Sequence, residues 1–194
     1  MKSSRSAAII SAADRVSRFS DFCPCPVTSV RVVFTPKLAA EEWGQIFHLT
    51  KRNMEATYNA SGDPEWAWDD SRKLKEILNS KSRFIKLYSS GTTQLLGFAC
   101  FRFLIDGGRP VLYVWELQID ASVQGKGLGK YLMSQLESLA SMTSPGITYI
   151  ILTCLRNNLP ALTFYKKLGY VSDISNPPET SRGTCYVILA KKLK

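Results

Sequence analysis

The densest chemistry in the chain lies in Tyr113-Val-Trp-Glu-Leu-Gln-Ile-Asp-Ala-Ser-Val-Gln-Gly-Lys-Gly-Leu-Gly-Lys-Tyr-Leu132. A strand-like segment ends there and glycines follow in alternation. An apolar stripe of helical spacing, Leu128, Leu132, Leu136 and Leu139, then begins at once. Glycine at such a point lets backbone amides turn toward a ligand. The first helical turn adds unpaired N–H donors and the positive end of the helix dipole. That combination suits a pyrophosphate. Spacing excludes two common nucleotide motifs. A dinucleotide fingerprint starting at Gly125 requires glycine where Lys130 stands. A phosphate loop ending at Gly129-Lys130 requires glycine at Gln124 and Ser or Thr at Tyr131. What fits is Gln124-x-x-Gly127-x-Gly129.

Thiols and imidazole offer less. Cys23 and Cys25 flank a proline, while Cys100, Cys154 and Cys185 each sit alone in apolar, strand-like text. No pair has zinc-ligand spacing and the lone His48 has no neighbouring ligand, so no metal site is expected. Buried or idle thiols are the plainer reading than a cysteine nucleophile paired with His48.

The elements that must position this chemistry fit one domain. The chain has 194 residues, and a domain takes roughly 100 to 200. Its 45% hydrophobic and 11% aromatic content excludes a disordered chain. No apolar run approaches the roughly 20 residues of a membrane span, and Asp14, Arg15 and Arg18 soon interrupt the short apolar start, so a soluble protein without a signal peptide is expected. A net charge of +9 is spread along the chain without basic and aromatic interleaving. It reads as a solvated surface or as attraction to a polyanion, not as sequence-specific nucleic-acid binding.

Residues 1–28 read as an extension with an amphipathic helix over Ser6–Phe19, stopped by the prolines of Cys23–Pro26. Residues 29–194 form the domain. Its expected elements are a strand over Ser29–Thr35 and a helix over Leu38–Tyr58 with Trp43, Ile46, Phe47, Met54 and Tyr58 inward. A helix over Ser71–Leu78 follows. Strands at Arg83–Tyr88, Leu95–Phe103 and Val111–Ile119 form an antiparallel meander turned by Gly91 and by Gly107-Gly108. A helix then runs to about Ala140, followed by a strand at Thr148–Leu155, a helix at Leu159–Leu168 and a last strand at Thr184–Leu189. This order gives an α/β fold: a mixed, mostly antiparallel central sheet with helices on both faces.

The loop Gln124-x-x-Gly127-x-Gly129 resembles the GNAT superfamily of N-acetyltransferases, whose members hold the acetyl-CoA pyrophosphate there. Downstream, Thr153, Asn157-Asn158 and Phe164-Tyr165-Lys-Lys-Leu-Gly169-Tyr170 continue the likeness. A narrower resemblance covers roughly residues 45 to 190. It runs through Tyr58, Trp66-Ala-Trp68-Asp69, Phe101-Arg-Phe103, Val111 to Gln118, Lys126 to Lys130, Thr153 with Asn158, and Cys185-Tyr186-x-Ile-Leu. In these the chain is similar to the N-alpha-acetyltransferase D (NatD) family, which acetylates the N-terminal serine of histone H4 and histone 2A.

The resemblance implies a single GNAT-type domain, acetyl-CoA as co-substrate and no metal. It implies Glu116 as general base and Tyr165 as a possible acid for the departing thiolate. Leu117, Gln118 and Ile119 would face the pantetheine arm, Gln124, Gly125, Lys126, Gly127, Leu128, Gly129 and Lys130 the pyrophosphate, and Asn158 would also contact CoA. Substrate positions fall on Tyr58, Trp66, Tyr113, Trp115, Thr153, Ser175 and Tyr186. Of two family acids that meet the arginine of a Ser-Gly-Arg terminus, one matches Asp106 and the other falls on Leu104. Asp63, Glu65, Asp69 or Asp70 would compensate if their loop folds over the site. The partners implied are the histone tails, with nucleosome or ribosome proximity and no membrane, in nucleus and cytoplasm. A superfamily member acting on lysine side chains or small amines, and a non-catalytic acetyl-CoA or chromatin-binding module, remain open.

Overall fold

Alternating apolar side chains along residues 83–119 build the centre of a sheet that is buried on both faces. The computed structural model describes residues 8, 10–11, 24–27, 29–143, 146–177 and 184–193. Its elements are β1 (Val30–Thr35), α1 (Trp43–Asn59), α2 (Asp70–Ile77), β2 (Arg83–Ser89), β3 (Leu95–Asp106), β4 (Arg109–Ile119), α3 (Leu128–Thr143), β5 (Tyr149–Leu155), α4 (Leu159–Lys167), β6 (Val171–Ser172) and β7 (Tyr186–Lys192). Short 3-10 turns occupy Pro64–Trp66 and Ala121–Val123. The helix expected over 6–19 lies largely outside the described residues, although Ile10, Cys25 and Val27 rest half-buried against the core.

The strands form one sheet in the order β1-β2-β3-β4-β5-β7-β6. Only the β4–β5 pair is parallel; the others are antiparallel. The expected α/β fold with helices on both faces is what is found. One face packs on α3 and α4, burying Ile85, Leu87, Phe101, Leu132 and Leu136. The opposite face packs on α1 and α2 through Ile46, Phe47, Ile77, Phe84 and Phe98.

Two expectations need correction, and one strand is not foreseen from the sequence. Helix α1 starts at Trp43, not Leu38, because Glu42 stops the turn before it: its carboxylate accepts the Ala39 amide at 3.0 Å, the Tyr88 hydroxyl at 3.0 Å and the buried Lys86 ammonium. Trp43 is 40% exposed, whereas Ile46 and Phe47 face inward as expected, joined by Leu49 and Thr50. The two-residue edge strand β6 is too short for any periodicity to announce.

Gly97 of β3 sits where the neighbouring β4 leaves no room for a side chain. A Cβ there would stand 2.7 Å from Ile119 Cδ1 and 2.8 Å from the Gln118 carbonyl oxygen. Gly97→Ala therefore pushes on the end of β4 and is expected to cost about 1–3 kcal/mol. Urea unfolding should show a lower midpoint with an unchanged slope.

Candidate active site

Strand β4 carries one residue more than its partner allows. Cys100 of β3 faces Glu116 and Phe101 faces Val114, so Trp115 bulges out of the ladder. Before the bulge, Leu112 and Val114 point to the α3–α4 face; after it, Leu117 and Ile119 do. Consecutive residues Trp115 and Glu116 thus share the α1–α2 face, where Trp115 joins the apolar cluster and Glu116 meets α2. Pairing of β4 with β5 also ends there, at Val114 with Leu152. Beyond that register the two strands part.

Glu116 and Lys73 are both buried, their side chains 5% and 6% exposed, with Lys73 Nζ 2.8 Å from Glu116 Oε1. The same ammonium donates to Glu76 Oε2 at 2.6 Å and to the Tyr58 hydroxyl at 3.1 Å. The other carboxylate oxygen of Glu116 accepts from Gln118 Nε2 at 2.9 Å, and Gln118 accepts in turn from Asn53 Nδ2 at 3.1 Å. Burial opposes the charge on Lys73, but Glu116, Tyr58 and Glu76 more than offset it and hold its pKa above the ordinary lysine value. Burial and the nearby Glu116 carboxylate push the Tyr58 phenol up to about 12. Two carboxylates around one ammonium leave one unbalanced negative charge.

A cavity of about 240 Å³ opens above this cluster. Its walls are Tyr58, Trp66, Tyr113, Trp115, Thr153 and Tyr165, with Glu116, Gln118, Lys73 and Glu76 below. Trp66 stacks on Tyr58 at 6.3 Å between ring centroids and meets Tyr186 at 4.7 Å, so Tyr186 extends the aromatic wall. Tyr113 and Thr153 share a hydrogen bond of 2.5 Å across the opening between β4 and β5. Burial, with Cys154 and Glu116 nearby, raises the Tyr165 phenol well above its usual value and keeps it protonated. Cys154 also lines the cavity, but burial pushes its thiol up to about 11 and that of Cys100 up to about 12, so neither is a ready thiolate. His48 is exposed.

Past the gap, Gln124 anchors the glycine loop by donating from Nε2 to the Ile119 carbonyl at 3.1 Å. Gly125 and Gly127 have φ of +75° and +84°, values that L side chains rarely adopt. Gly129 answers a packing demand instead, since a Cβ there would stand 3.2 Å from the Phe164 ring of α4. The first intrahelical bond runs from the Tyr131 amide to the Gly127 carbonyl at 2.9 Å, which among the described residues leaves the amides before it for a ligand. Lys126 and Lys130 are exposed beside them. Leu117 lines the cavity, and Asn158 caps α4 by accepting from the Ala161 amide at 3.3 Å while lining the same wall. A long anionic molecule entering between β4 and β5 meets a fitting cradle.

Four expected substrate residues stand apart from the cavity lining: Tyr186, which meets it through Trp66, and Leu104, Asp106 and Ser175. Leu104 packs against the buried cluster of Val111, Ile151 and Ala190. Asp106 accepts from Arg109 at 2.9 Å, and Arg109 also holds Asp173 at 2.8 Å. Ser175 donates its hydroxyl to Asp173 at 2.7 Å. The compensating acids are mostly committed elsewhere. Asp63 and Asp69 cap the turns that follow them, and Asp70 binds Lys51 at 2.9 Å and the Trp68 indole N–H at 2.5 Å. Glu65 is exposed. Sequence reasoning missed Lys73, Glu76 and Asn53, which carry no motif and meet Glu116 only through the fold.

Comparison with known proteins places these observations. The profile described as "Acetyltransferase (GNAT) family" matches residues 43–170. Mycothiol acetyltransferase of Saccharomonospora viridis is 41% identical over 64 residues, 33% of this chain and 20% of that protein. The "uncharacterized N-acetyltransferase ycf52" of Porphyra purpurea is 32% identical over 110 residues, 56% of this chain and 59% of that protein. The chain therefore spans less than two thirds of either relative. Among solved structures, the PaiA N-acetyltransferase of Thermoplasma acidophilum, in complex with coenzyme A, superposes with a TM-score of 0.62 at 17% identity, over 85% of this chain and 99% of that one.

The Arg109–Asp173 pair makes a separate prediction. Asp173 is buried, which opposes its charge, but Arg109 and Ser175 more than offset this and lower its carboxyl from 3.8 to about 2. With the folded value below the unfolded one, the stabilisation is complete above the unfolded value and is lost as pH falls through about 2. Asp173→Asn should cost about 1–2 kcal/mol at pH 7 and flatten the stability profile between pH 4 and 2, read by denaturant titration at each pH.

Proposed function

The chain belongs to the acetyltransferase (GNAT) family, and from that premise we propose that it moves the acetyl group of acetyl-CoA to the free N-terminal serine amine of histone H4 and histone 2A. The observation that carries the reading is the Glu116 carboxylate, turned by the bulge to the floor of an aromatic-walled cavity where β4 and β5 part. Acetyl-CoA supplies an activated acyl carbon. The loop amides of Gly125 to Lys130 take its pyrophosphate, the exposed edge of β4 from Leu117 to Ile119 takes the pantetheine arm, and Asn158 fixes the start of α4 beside it.

The α-ammonium received at the cavity floor loses one proton to solvent, and the neutral α-amine attacks the thioester carbonyl carbon. An N–C bond forms and the C–S bond breaks. The nitrogen's proton passes to Glu116, directly or through one water. The electron pair leaves with the sulfur, and Tyr165, kept protonated by burial, donates the proton that completes the thiol and is reprotonated from solvent as Glu116 releases its own. A carboxylate is a modest base, and an α-amine needs no more. At pH 7 roughly a tenth of α-amines are neutral, against well under a thousandth of lysine side chains, from reference pKa values of about 7.8 and 10.4.

The cavity suits a small first residue: Tyr58, Trp66, Tyr113 and Trp115 are rigid walls that exclude a long side chain, and Thr153 faces a serine hydroxyl. Recognition of the third-residue arginine is weaker than two free carboxylates would give. It shares Asp106 with Arg109, and Leu104 contributes no charge. The narrower sequence resemblance supports the histone termini as substrates, the nucleus and cytoplasm as the place, and nucleosome or ribosome proximity as the setting.

The test combines the protein, acetyl-CoA and a Ser-Gly-Arg-Gly peptide with its N-terminally blocked and Arg→Ala versions. Mass spectrometry should locate acetyl on the free terminus alone, with the alanine peptide showing a raised KM. Glu116→Gln should lose on the order of 10²-fold or more in kcat with acetyl-CoA affinity kept. Acetylation of a lysine in the blocked peptide would assign the other substrate class, and a fully active Glu116→Gln would remove the base.

A further inference from the structure

Lys73 is a buried cation beneath a cavity that must itself admit an amine. It is as buried as Glu116 and lies where the substrate's own ammonium must arrive. Its three acceptors come from three elements: Tyr58 of α1, Glu76 of α2 and Glu116 of β4. The Tyr58 and Trp68 rings also face its ammonium, with centroids at 4.8 and 6.0 Å. Cys100 and Arg102 of β3 and Tyr165 of α4 are the remaining titratable groups whose charges reach this cluster. Arg102 is committed elsewhere, stacked over Trp115 at 3.8 Å and donating to Ser82 Oγ at 3.2 Å.

We propose that Lys73 is a positioning residue for acetyl transfer: it pins the Glu116 carboxylate beneath the cavity and cancels one of two carboxylate charges, leaving one to receive the substrate's α-ammonium. The inference rests on Glu116 as the base. Glu116 is fastened at both oxygens, by Lys73 and by Gln118, so it cannot rotate away from the amine. Glu76 is the exchangeable partner. Its side chain is 29% exposed, and it keeps Lys73 bound when an incoming amine competes for Glu116. Removing the ammonium leaves the buried Glu116 carboxylate beside the part-exposed Glu76 with no cation between them, which favours protonation of the pair. Removing the charge of Glu76 leaves a neutral cluster with no attraction for an ammonium.

The experiment uses the full chain with acetyl-CoA and the Ser-Gly-Arg-Gly peptide. In Lys73→Met the acid limb of the kcat/KM profile should move up by about 1 pH unit, with acetyl-CoA affinity unchanged, and Lys73→Arg should restore at least half of that shift. In Glu76→Gln the KM for the peptide should rise at least fivefold with a smaller change in kcat. By calorimetry, its preference for the free over the N-acetylated peptide should fall by the same factor. A wild-type acid limb in folded Lys73→Met, or an unchanged peptide preference in Glu76→Gln, overturns the proposal. Should Lys73→Met fail to fold, Glu76→Gln decides alone. A wild-type chain that acetylates no peptide defeats the functional reading instead. In that event a carboxyl carbon-13 titration of Glu116 in wild type, Lys73→Arg and Glu76→Gln still reads the cluster, and identical curves overturn it.

Discussion

One extra residue in β4 sets the arrangement of the site. Strand side chains alternate, so without the bulge Glu116 would follow Val114 onto the α3–α4 face and lie among apolar groups. The bulge gives Trp115 and Glu116 the same face and breaks the ladder to β5 at the same level. A carboxylate is thereby delivered to the mouth of a gap between strands. Burying that charge is unfavourable unless it is paired and hydrogen-bonded, and the fold supplies Lys73 and Gln118 to do both.

The gap has two ends with different chemistry. Toward the end of β4 the chain turns through Ala121–Val123 into the glycine loop, and α3 begins with its amides open. Close packing of α3 on α4, permitted by Gly129 beneath Phe164, brings Asn158 and Tyr165 to the same wall. Toward the start of β4 lie the Tyr113–Thr153 contact and, further out, the Asp106–Arg109–Asp173 chain. An anionic group is favoured at one end and a cationic or amine group in the middle. The net charge of +9 is compatible with this, because at the cavity floor itself two carboxylates, Glu116 and Glu76, surround the one ammonium of Lys73.

Much of this was legible before the fold was known. The glycine loop announces itself because its spacing is local and the leucine stripe of α3 follows directly; all four of those leucines are buried. The meander and the alternation of strands and helices gave the α/β class. What stayed hidden depends on distant packing. Lys73 reads as one charge among Arg72, Lys75 and Glu76 on a short helix, a pattern normal for a solvated face, and only the docking of α2 on β4 buries it 43 residues from its partner. The β4 bulge has no sequence mark, since Trp115 and Glu116 would suit a regular strand. Asp63, Asp69 and Asp70 looked free to meet an arginine, yet each is used locally to cap a turn or bind a lysine.

The most direct measurement is a crystal structure of the chain with a bisubstrate analogue in which coenzyme A is joined to the α-nitrogen of Ser-Gly-Arg-Gly. The account predicts that nitrogen within about 2.6–3.2 Å of a Glu116 carboxylate oxygen, or linked to it by one water, with the diphosphate on the amides of Gly125 to Lys130. A Glu116 side chain turned to the α3–α4 face, or an α-nitrogen beyond reach of one bridging water, would contradict it.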